Sequence, residues 1–111
     1  MKSGNIAAEI PSSLPNELVE ILAEGEGKLR IERIVSRGHA SPSDFWYDQS
    51  ETELVMLVSG AAVLKFEEAD EPLEMIAGDW IEIPPGKRHR VENTAAGMDS
   101  IWLAVFWEPV R

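Results

Sequence analysis

Residues 78–93 read GDWIEIPPGKRHRVEN, and this stretch restricts the fold more than any other part of the chain. Two short runs, residues 80–83 and 89–91, are separated by Pro84-Pro85-Gly86 and preceded by Gly78-Asp79. Glycine adopts backbone angles that other residues avoid, and proline is typical of strand ends. The stretch therefore predicts two short β-strands joined by a tight turn.

The same pattern continues on both sides of this stretch. Strands are also predicted over residues 29–35, 53–58, 62–66, 73–76 and 101–107. Residues 53–58 and 62–66 read as a hairpin that turns near Ser59-Gly60-Ala61. The last run is apolar on both faces, as a central or interface strand would be. Short strands at regular spacing are typical of an all-β sandwich or barrel.

One short helix is predicted near the amino terminus, over residues 15–23. Pro15 suits a first turn, and Glu17 complements the positive end of a helix. The apolar stripe of this helix would be Leu14, Leu18, Ile21 and Leu22. We expect residues 1–27 to form an arm and this helix, packed on a barrel made by residues 28–111 in a single domain.

Composition excludes several classes of protein. The 111 residues carry 10 basic and 20 acidic side chains, a net charge of −10, and contain no cysteine. Such acidity argues against nucleic-acid and anionic-membrane partners, and the lack of cysteine excludes disulfides and thiolate metal sites. Residues 1–5 do not begin an apolar signal segment, and no apolar run is long enough for a membrane span. We expect a cytoplasmic protein.

Two residues are placed by strand alternation to face the interior. His89 shares its side of the predicted strand with Val91, while Arg88 and Arg90 point the other way. Glu53 shares its side with Val55 and opens an apolar strand. A buried histidine is either hydrogen-bonded in the core or a metal ligand, and a buried carboxylate needs a partner.

The spacing of residues 78–93 resembles the second motif of the cupin superfamily. Gly78, five residues, Pro84-Pro85-Gly86-Lys87-Arg88-His89, three residues and then Asn93 match that motif without a gap. Glu53 and Gly60 match the closing half of the first motif. The resemblance implies a cupin-type jelly-roll β-barrel with a metal or substrate site inside, and a homodimer.

The resemblance also implies a candidate metal site. A typical cupin supplies three histidines and a glutamate, and the matching positions here are Tyr47, Gln49, Glu53 and His89. Gln49 offers a neutral oxygen, and Asp48 could turn inward if residues 50–51 break the strand. The predicted ligands are therefore His89, Glu53, Gln49 and Asp48. The ion would be Mn, Fe, Ni or Zn, and an oxygen-rich set favours Mn²⁺ or Fe²⁺.

Three consecutive aromatic residues, Phe45-Trp46-Tyr47, are predicted to fold over the mouth of the barrel and to contact a small-molecule ligand. His39 reads as a histidine of a surface loop, with completion of the site as the alternative.

Three functions remain open from the sequence. The first is a cupin that binds a divalent metal and acts on or senses a small polar molecule, with the metal as Lewis acid if it is catalytic. The second is a metal-free barrel that binds a sugar or an organic acid. The third is a structural dimeric module. Whether the protein is an enzyme stays open, since one fold hosts many activities.

Overall fold

The computed structural model describes residues 3–108. Residues 1–2 of the predicted arm and 109–111 of the predicted barrel lie outside this part. Within it, eight strands and a single 3₁₀ turn, Glu26–Lys28, make up the regular structure. The strands are β1 (Leu18–Glu24), β2 (Arg30–Ser36), β3 (Thr52–Ser59), β4 (Ala61–Phe66), β5 (Leu73–Ile76), β6 (Trp80–Ile83), β7 (His89–Thr94) and β8 (Ser100–Trp107). No helix among the described residues has the length and apolar character needed to cross a lipid bilayer.

The strands form two antiparallel sheets that pack face to face. One sheet has five strands in the order β1-β2-β8-β3-β6, and the other has three in the order β5-β4-β7. Non-sequential neighbours such as β2 and β8 arise because the chain crosses between the sheets. This is the all-β jelly-roll barrel that the sequence predicted, and it is confirmed.

The hydrophobic core lies between the two sheets. The five-stranded sheet contributes fully buried Leu57 and Ala104, together with Trp102. Leu64 and Met75 face them from the three-stranded sheet. Because side chains alternate along a strand, the inward positions form one apolar layer.

The predicted helix over residues 15–23 is wrong, because residues 18–24 form strand β1. This strand pairs antiparallel with β2, from Leu18 opposite Val35 to Glu24 opposite Arg30, with a bulge after Ile21. Two helical turns are marginal without tertiary support, whereas pairing with β2 satisfies the backbone of the whole segment. The apolar residues also suit alternation, and short apolar runs do not distinguish the two periods.

The predicted hairpin at residues 59–61 is also wrong, because β3 and β4 belong to different sheets. Gly60 has φ +91° and turns the chain from the five-stranded to the three-stranded sheet. Ser100 holds this corner, since its hydroxyl accepts a hydrogen bond from the Ala61 N–H at 3.3 Å and donates to the Ala61 carbonyl at 3.1 Å.

The amino-terminal segment covers the outer face of the five-stranded sheet near β1 and β2. Arg33 is buried, and its guanidinium donates to the carbonyls of Ile6 at 3.2 Å and Ala8 at 2.6 Å. It also pairs with Glu20 on β1. Arg33 thereby occupies the outer side of β2, so that the alternate residues of this strand, from Arg30 to Ser36, face the space between the sheets.

Candidate functional site

A cavity of about 370 Å³ lies between the two sheets, beneath β1 and β2. Its walls are largely apolar, with Ile34, Val55, Leu64 and Trp102 among them. The polar side chains that line it are Glu17, Arg30, Glu32, Tyr47, Gln49, Glu53 and His89. A mostly apolar cavity with a few convergent polar groups is the usual form of a small-molecule site.

His89 is positioned by a backbone bridge between β7 and Tyr47. The Tyr47 N–H donates to the His89 carbonyl at 2.7 Å, and the His89 N–H donates to the Tyr47 carbonyl at 3.2 Å. Opposed residues of such a pair project to the same side, and the two rings stack with centroids 5.4 Å apart. The bridge therefore holds the His89 ring inside the barrel, where the residue is 5% exposed.

The hydrogen bonds of the His89 ring define its chemistry. Nδ1 lies 2.8 Å from the Lys87 carbonyl, which only accepts, so Nδ1 carries a proton. Nε2 is left facing Glu53 Oε1 at 3.5 Å. Burial lowers the pKa of His89, but the hydrogen bonds to Glu53 and to the Lys87 carbonyl outweigh it and raise the pKa above its ordinary value.

Glu53 lies on the inner face of β3, between Ile83 of β6 and Phe106 of β8. It is 8% exposed, and its Oε1 accepts a hydrogen bond from Gln49 Nε2 at 3.1 Å. Oε1 thus receives both contacts, from Gln49 and from His89. Oε2 has no hydrogen-bond partner among residues 3–108, and it is not sealed from solvent. One carboxylate oxygen of Glu53 is therefore free to bind a molecule in the cavity.

The other predicted site residues fall in different places. Gln49 and Tyr47 line the cavity, whereas Asp48 is exposed and does not. Phe45 packs edge-on against Tyr47, with centroids 4.7 Å apart, and lines a neighbouring depression. Trp46 lies outside the cavity, beneath the guanidinium of Arg90 at 4.5 Å. The structure brings together His89, Glu53, Gln49 and Tyr47.

His39 and Arg88 take up hydrogen bonds away from the cavity. His39 Nδ1 accepts from the Arg37 N–H at 2.9 Å, and its Nε2 lies 3.2 Å from the Pro15 carbonyl. Arg88 points outward and pairs with Glu67 at 2.9 Å. His39 lines the neighbouring depression that Phe45 also lines, and it does not line the cavity.

Three cavity residues, Glu17, Arg30 and Glu32, were missed by sequence reasoning. Alternation along β2 identifies two faces but not which of them faces inward. The face with Ile31 and Val35 is the more apolar, yet it is the outer one, because the amino-terminal segment covers it. The only local signal was a pair of opposite charges two residues apart, Arg30 and Glu32.

Arg30 is held by carboxylates on two sides. Its Nη1 donates to both oxygens of Glu51, at 2.7 and 2.6 Å, and its Nε donates to Glu32 at 3.1 Å. The guanidinium carbon lies 4.0 Å from the centroid of the Phe106 ring. This guanidinium is therefore matched by two carboxylates and packed on an aromatic ring.

Glu17, which also lines the cavity, is linked to Trp102 by a chain of hydrogen bonds through Ser36. The indole N–H of Trp102 donates to Ser36 Oγ at 3.3 Å, and the Ser36 hydroxyl donates to Glu17 at 2.5 Å. Burial raises the pKa of Tyr47, and the charges of Glu17, Glu53 and Glu32 raise it further. All three carboxylates therefore act at the Tyr47 hydroxyl.

Sequence comparison now assigns the family. The family model of the cupin domain matches residues 33–106, two thirds of the chain. The chain belongs to the cupin family. A search of curated proteins finds no match to this cupin.

Solved structures agree with the assignment. A crystal structure from Ralstonia eutropha, named a "putative mannose-6-phosphate isomerase", is 44% identical over 98% of this cupin and 100% of that chain, with a TM-score of 0.94. An RmlC-like cupin from Desulfovibrio desulfuricans is 17% identical, covers 99% of both chains and has a TM-score of 0.77. A cupin superfamily protein from Desulfitobacterium hafniense is 17% identical over 90% of this cupin and 84% of that chain, with a TM-score of 0.73.

The residues of this cupin do not fit a four-ligand metal centre. Tyr47 and Gln49 stand where the first cupin motif has histidines, and Asp48 is exposed. Among residues 3–108, no three His, Cys, Asp or Glu side chains converge to hold an ion. Gln49 Nε2 donates to Glu53, which leaves the neutral carbonyl oxygen of Gln49 as a weak ligand. Glu53 and His89 are the two strong ligands among the matching positions.

Proposed function

We propose that this cupin binds a small polar molecule in the cavity between its sheets. The observation that carries the proposal is the buried Glu53–His89 pair, with Nε2 and Oε1 3.5 Å apart on the wall of a cavity of about 370 Å³. The contact holds the imidazole and the carboxylate in fixed positions, and the free Oε2 of Glu53 supplies an acceptor to the cavity. Few polar groups in a mostly apolar cavity favour one ligand orientation.

The structure supports the metal site predicted from the sequence less well than it supports a metal-free site. Only one imidazole and one carboxylate are available as strong ligands, and they contact each other. We therefore place the metal-free site first, with binding of Mn, Fe, Ni or Zn as the alternative. A cytoplasmic location is the expectation from the sequence.

The experiment uses three hexoses of the same ring size as probes, D-mannose, D-mannosamine and D-mannose 6-phosphate. The name of the Ralstonia eutropha relative suggests hexoses, and that name describes that protein alone. Binding is followed by NMR at the indole N–H of Trp102, which lines the cavity. We expect at least one probe to shift this resonance in a saturable way.

Glu53→Gln tests the assignment because it keeps the size of the side chain and removes the charge. Loss of a hydrogen bond to a charged group weakens binding roughly tenfold. Glu82→Gln is the matched control, since Glu82 is exposed and lies on the outer side of β6. Absence of any shift at Trp102 with all three probes, or equal affinity in Glu53→Gln, would contradict the proposal.

We also propose that two copies associate through the outer face of the five-stranded sheet. The face is formed by Leu54, Met56, Trp80, Leu103, Val105 and Trp107, which the strand register places side by side. These residues are uncharged in a chain of net charge −10, and Trp80 is 61% exposed. Glu82 lies beside Leu54 at the β6 edge of this face. The remaining positions are apolar, so two such faces can meet with the apolar residues at the centre, and the partner we commit to is a second copy of the chain.

A further inference from the structure

We infer that the cavity selects ligands that carry a positive charge, an ammonium group on a small hydroxylated molecule above all, and disfavours phosphorylated ones. This inference rests on the proposed function, since it assigns the chemical class of the molecule that the same cavity binds. It comes from the balance of charges around the cavity and from the groups that are already paired there.

Carboxylates outnumber cations at the cavity. Glu17, Glu32 and Glu53 line it, and Arg30 and His89 are the cationic side chains among its lining residues. Glu51 adds a fourth carboxylate through its two contacts with Arg30. The three lining carboxylates against one guanidinium and one imidazole leave a net charge of −1 with His89 protonated and −2 with it neutral, and Glu51 offsets the charge of Arg30 further.

The charge of the guanidinium at the cavity is already balanced. Arg30 donates from Nη1 to Glu51 and from Nε to Glu32, and the face of its guanidinium packs on Phe106. A phosphate ester with about two negative charges would meet the remaining Nη2 beside both carboxylates. Burial limits screening by water, so these like charges repel.

The negative charges come from three separate elements of the cavity wall. Glu17 precedes β1, Glu32 lies on β2 and Glu53 lies on β3, and all three line the cavity. Their charges also raise the pKa of the Tyr47 phenol, which lines the same cavity. An ammonium group in the cavity would be attracted by all three carboxylates.

Two further features match an ammonium ligand. Glu53 Oε2 is free of internal partners while the side chain is 10% exposed, so a donor in the cavity would meet a largely desolvated acceptor. The cavity also contains the rings of Tyr47, Trp102 and Phe106, and aromatic faces attract cations. Carboxylates combined with aromatic rings are groups that recognise a cation.

The test compares affinities for the three sugars, which differ in charge and, for D-mannose 6-phosphate, also in size. Binding is measured by the NMR titration at Trp102, at a pH low enough to protonate the amine of D-mannosamine. We expect D-mannosamine to bind at least about tenfold more tightly than D-mannose 6-phosphate, with D-mannose between them.

Glu17→Gln and Glu32→Gln separate a charge effect from a loss of structure. Each removes one negative charge at nearly constant shape, and Glu82→Gln on the outer face is the control. We expect each cavity variant to weaken D-mannosamine about fivefold and to strengthen D-mannose 6-phosphate, with D-mannose within about twofold. Damage to the cavity would weaken all three probes together.

The outcomes distinguish this inference from the proposed function. Equal or tighter binding of D-mannose 6-phosphate at Trp102 would overturn the inference and leave a small-molecule site in place. Variants that weaken all three probes equally would overturn it as well. Failure of all three probes to shift Trp102 would overturn the proposed function, and the inference with it.

Discussion

His89 and Glu53 are positioned by different backbone contacts, and both side chains point into the same part of the cavity. The bridge to Tyr47 fixes the backbone of His89, and the Lys87 carbonyl fixes the orientation of its ring. Glu53 needs only its inward place on β3 between two neighbouring strands. A buried carboxylate requires a partner, and here the partners are an imidazole and the Gln49 amide. Glu53 and His89 therefore each have a partner within the protein itself.

This pairing predicts the metal content of the protein. We expect protein purified without chelators to contain Mn, Fe, Ni or Zn at well below one ion per chain, because two mutually paired side chains are a weak ligand set. EDTA should then leave the thermal midpoint unchanged. Elemental analysis and thermal unfolding before and after EDTA check both expectations.

The contrary result would restore the metal site predicted from the sequence. About one equivalent of a divalent ion, with a midpoint that falls after EDTA, would contradict the metal-free site. His89→Ala serves as the comparison, since loss of the metal in this variant would identify His89 as a ligand.

Single strands carry the two clearest differences between sequence and structure. Residues 18–24 have an apolar pattern compatible with either period, and the open edge of β2 makes them a strand. At Gly60 the residues suit a hairpin, but the chain passes to the other sheet. In each case the deciding partner lies outside the pattern itself: the next strand along the chain, β2, for β1, and the remote Ser100 for Gly60. Local preference gives way to pairing that satisfies more backbone groups.

Gly60→Ala should destabilise the fold strongly. Gly60 has φ +91°, and a Cβ there would lie 2.5 Å from Ser100 Oγ and 2.6 Å from Ser100 Cα, so β8 itself would have to shift. Backbone strain and overpacking together suggest a loss of about 3 kcal/mol in the free energy of unfolding. Urea unfolding followed by fluorescence measures it.

Gly78→Ala is the matched control. Gly78 has φ +95°, close to that of Gly60, but a Cβ there meets nothing within 4 Å. It should cost only the backbone strain, about 1 kcal/mol. Equal losses in the two variants would show that contact with Ser100 does not define the corner.

The arrangement of the two sheets produces both the cavity and the outer apolar face. Five strands face three, and the cavity lies between the two sheets with β1 and β2 contributing to its wall. The amino-terminal segment covers the outer side of β2 through Arg33, and the apolar residues of β3, β6 and β8 form the remaining outer face. A mostly apolar face on an acidic chain favours association with itself.

Association predicts a mass near twice 12.3 kDa in light scattering. Trp80→Arg should shift the protein towards the monomer mass, because it places a charge on each of the two apposed faces. Trp80 is 61% exposed, so the substitution leaves the core intact.

Ile76→Arg controls for the general effect of an exposed charge. Ile76 is 67% exposed and lies on β5 of the other sheet, so this variant should stay dimeric. A monomer mass for the unmodified protein would contradict the dimer. A monomer in Ile76→Arg with a dimer in Trp80→Arg would assign the interface to the other sheet.

The sequence predicted those features that depend on local chemistry. Turn residues and alternation over residues 78–93 predict the strands and the inward side of His89, and the same alternation predicts that Glu53 points inward. The jelly-roll fold follows from the family motif in the same residues. These predictions succeed because backbone angles and side-chain alternation are set within a few residues.

Other features depend on contacts between distant segments. The cavity gains Arg30, Glu32 and Glu17 because a remote amino-terminal segment covers the other side of β2. The corner at Gly60 exists because Ser100 packs there, forty residues away in the chain. Which face of a strand turns inward is a property of the sheets that surround it, and no local pattern encodes it. The charge of the cavity, and hence the class of ligand, is therefore a consequence of packing.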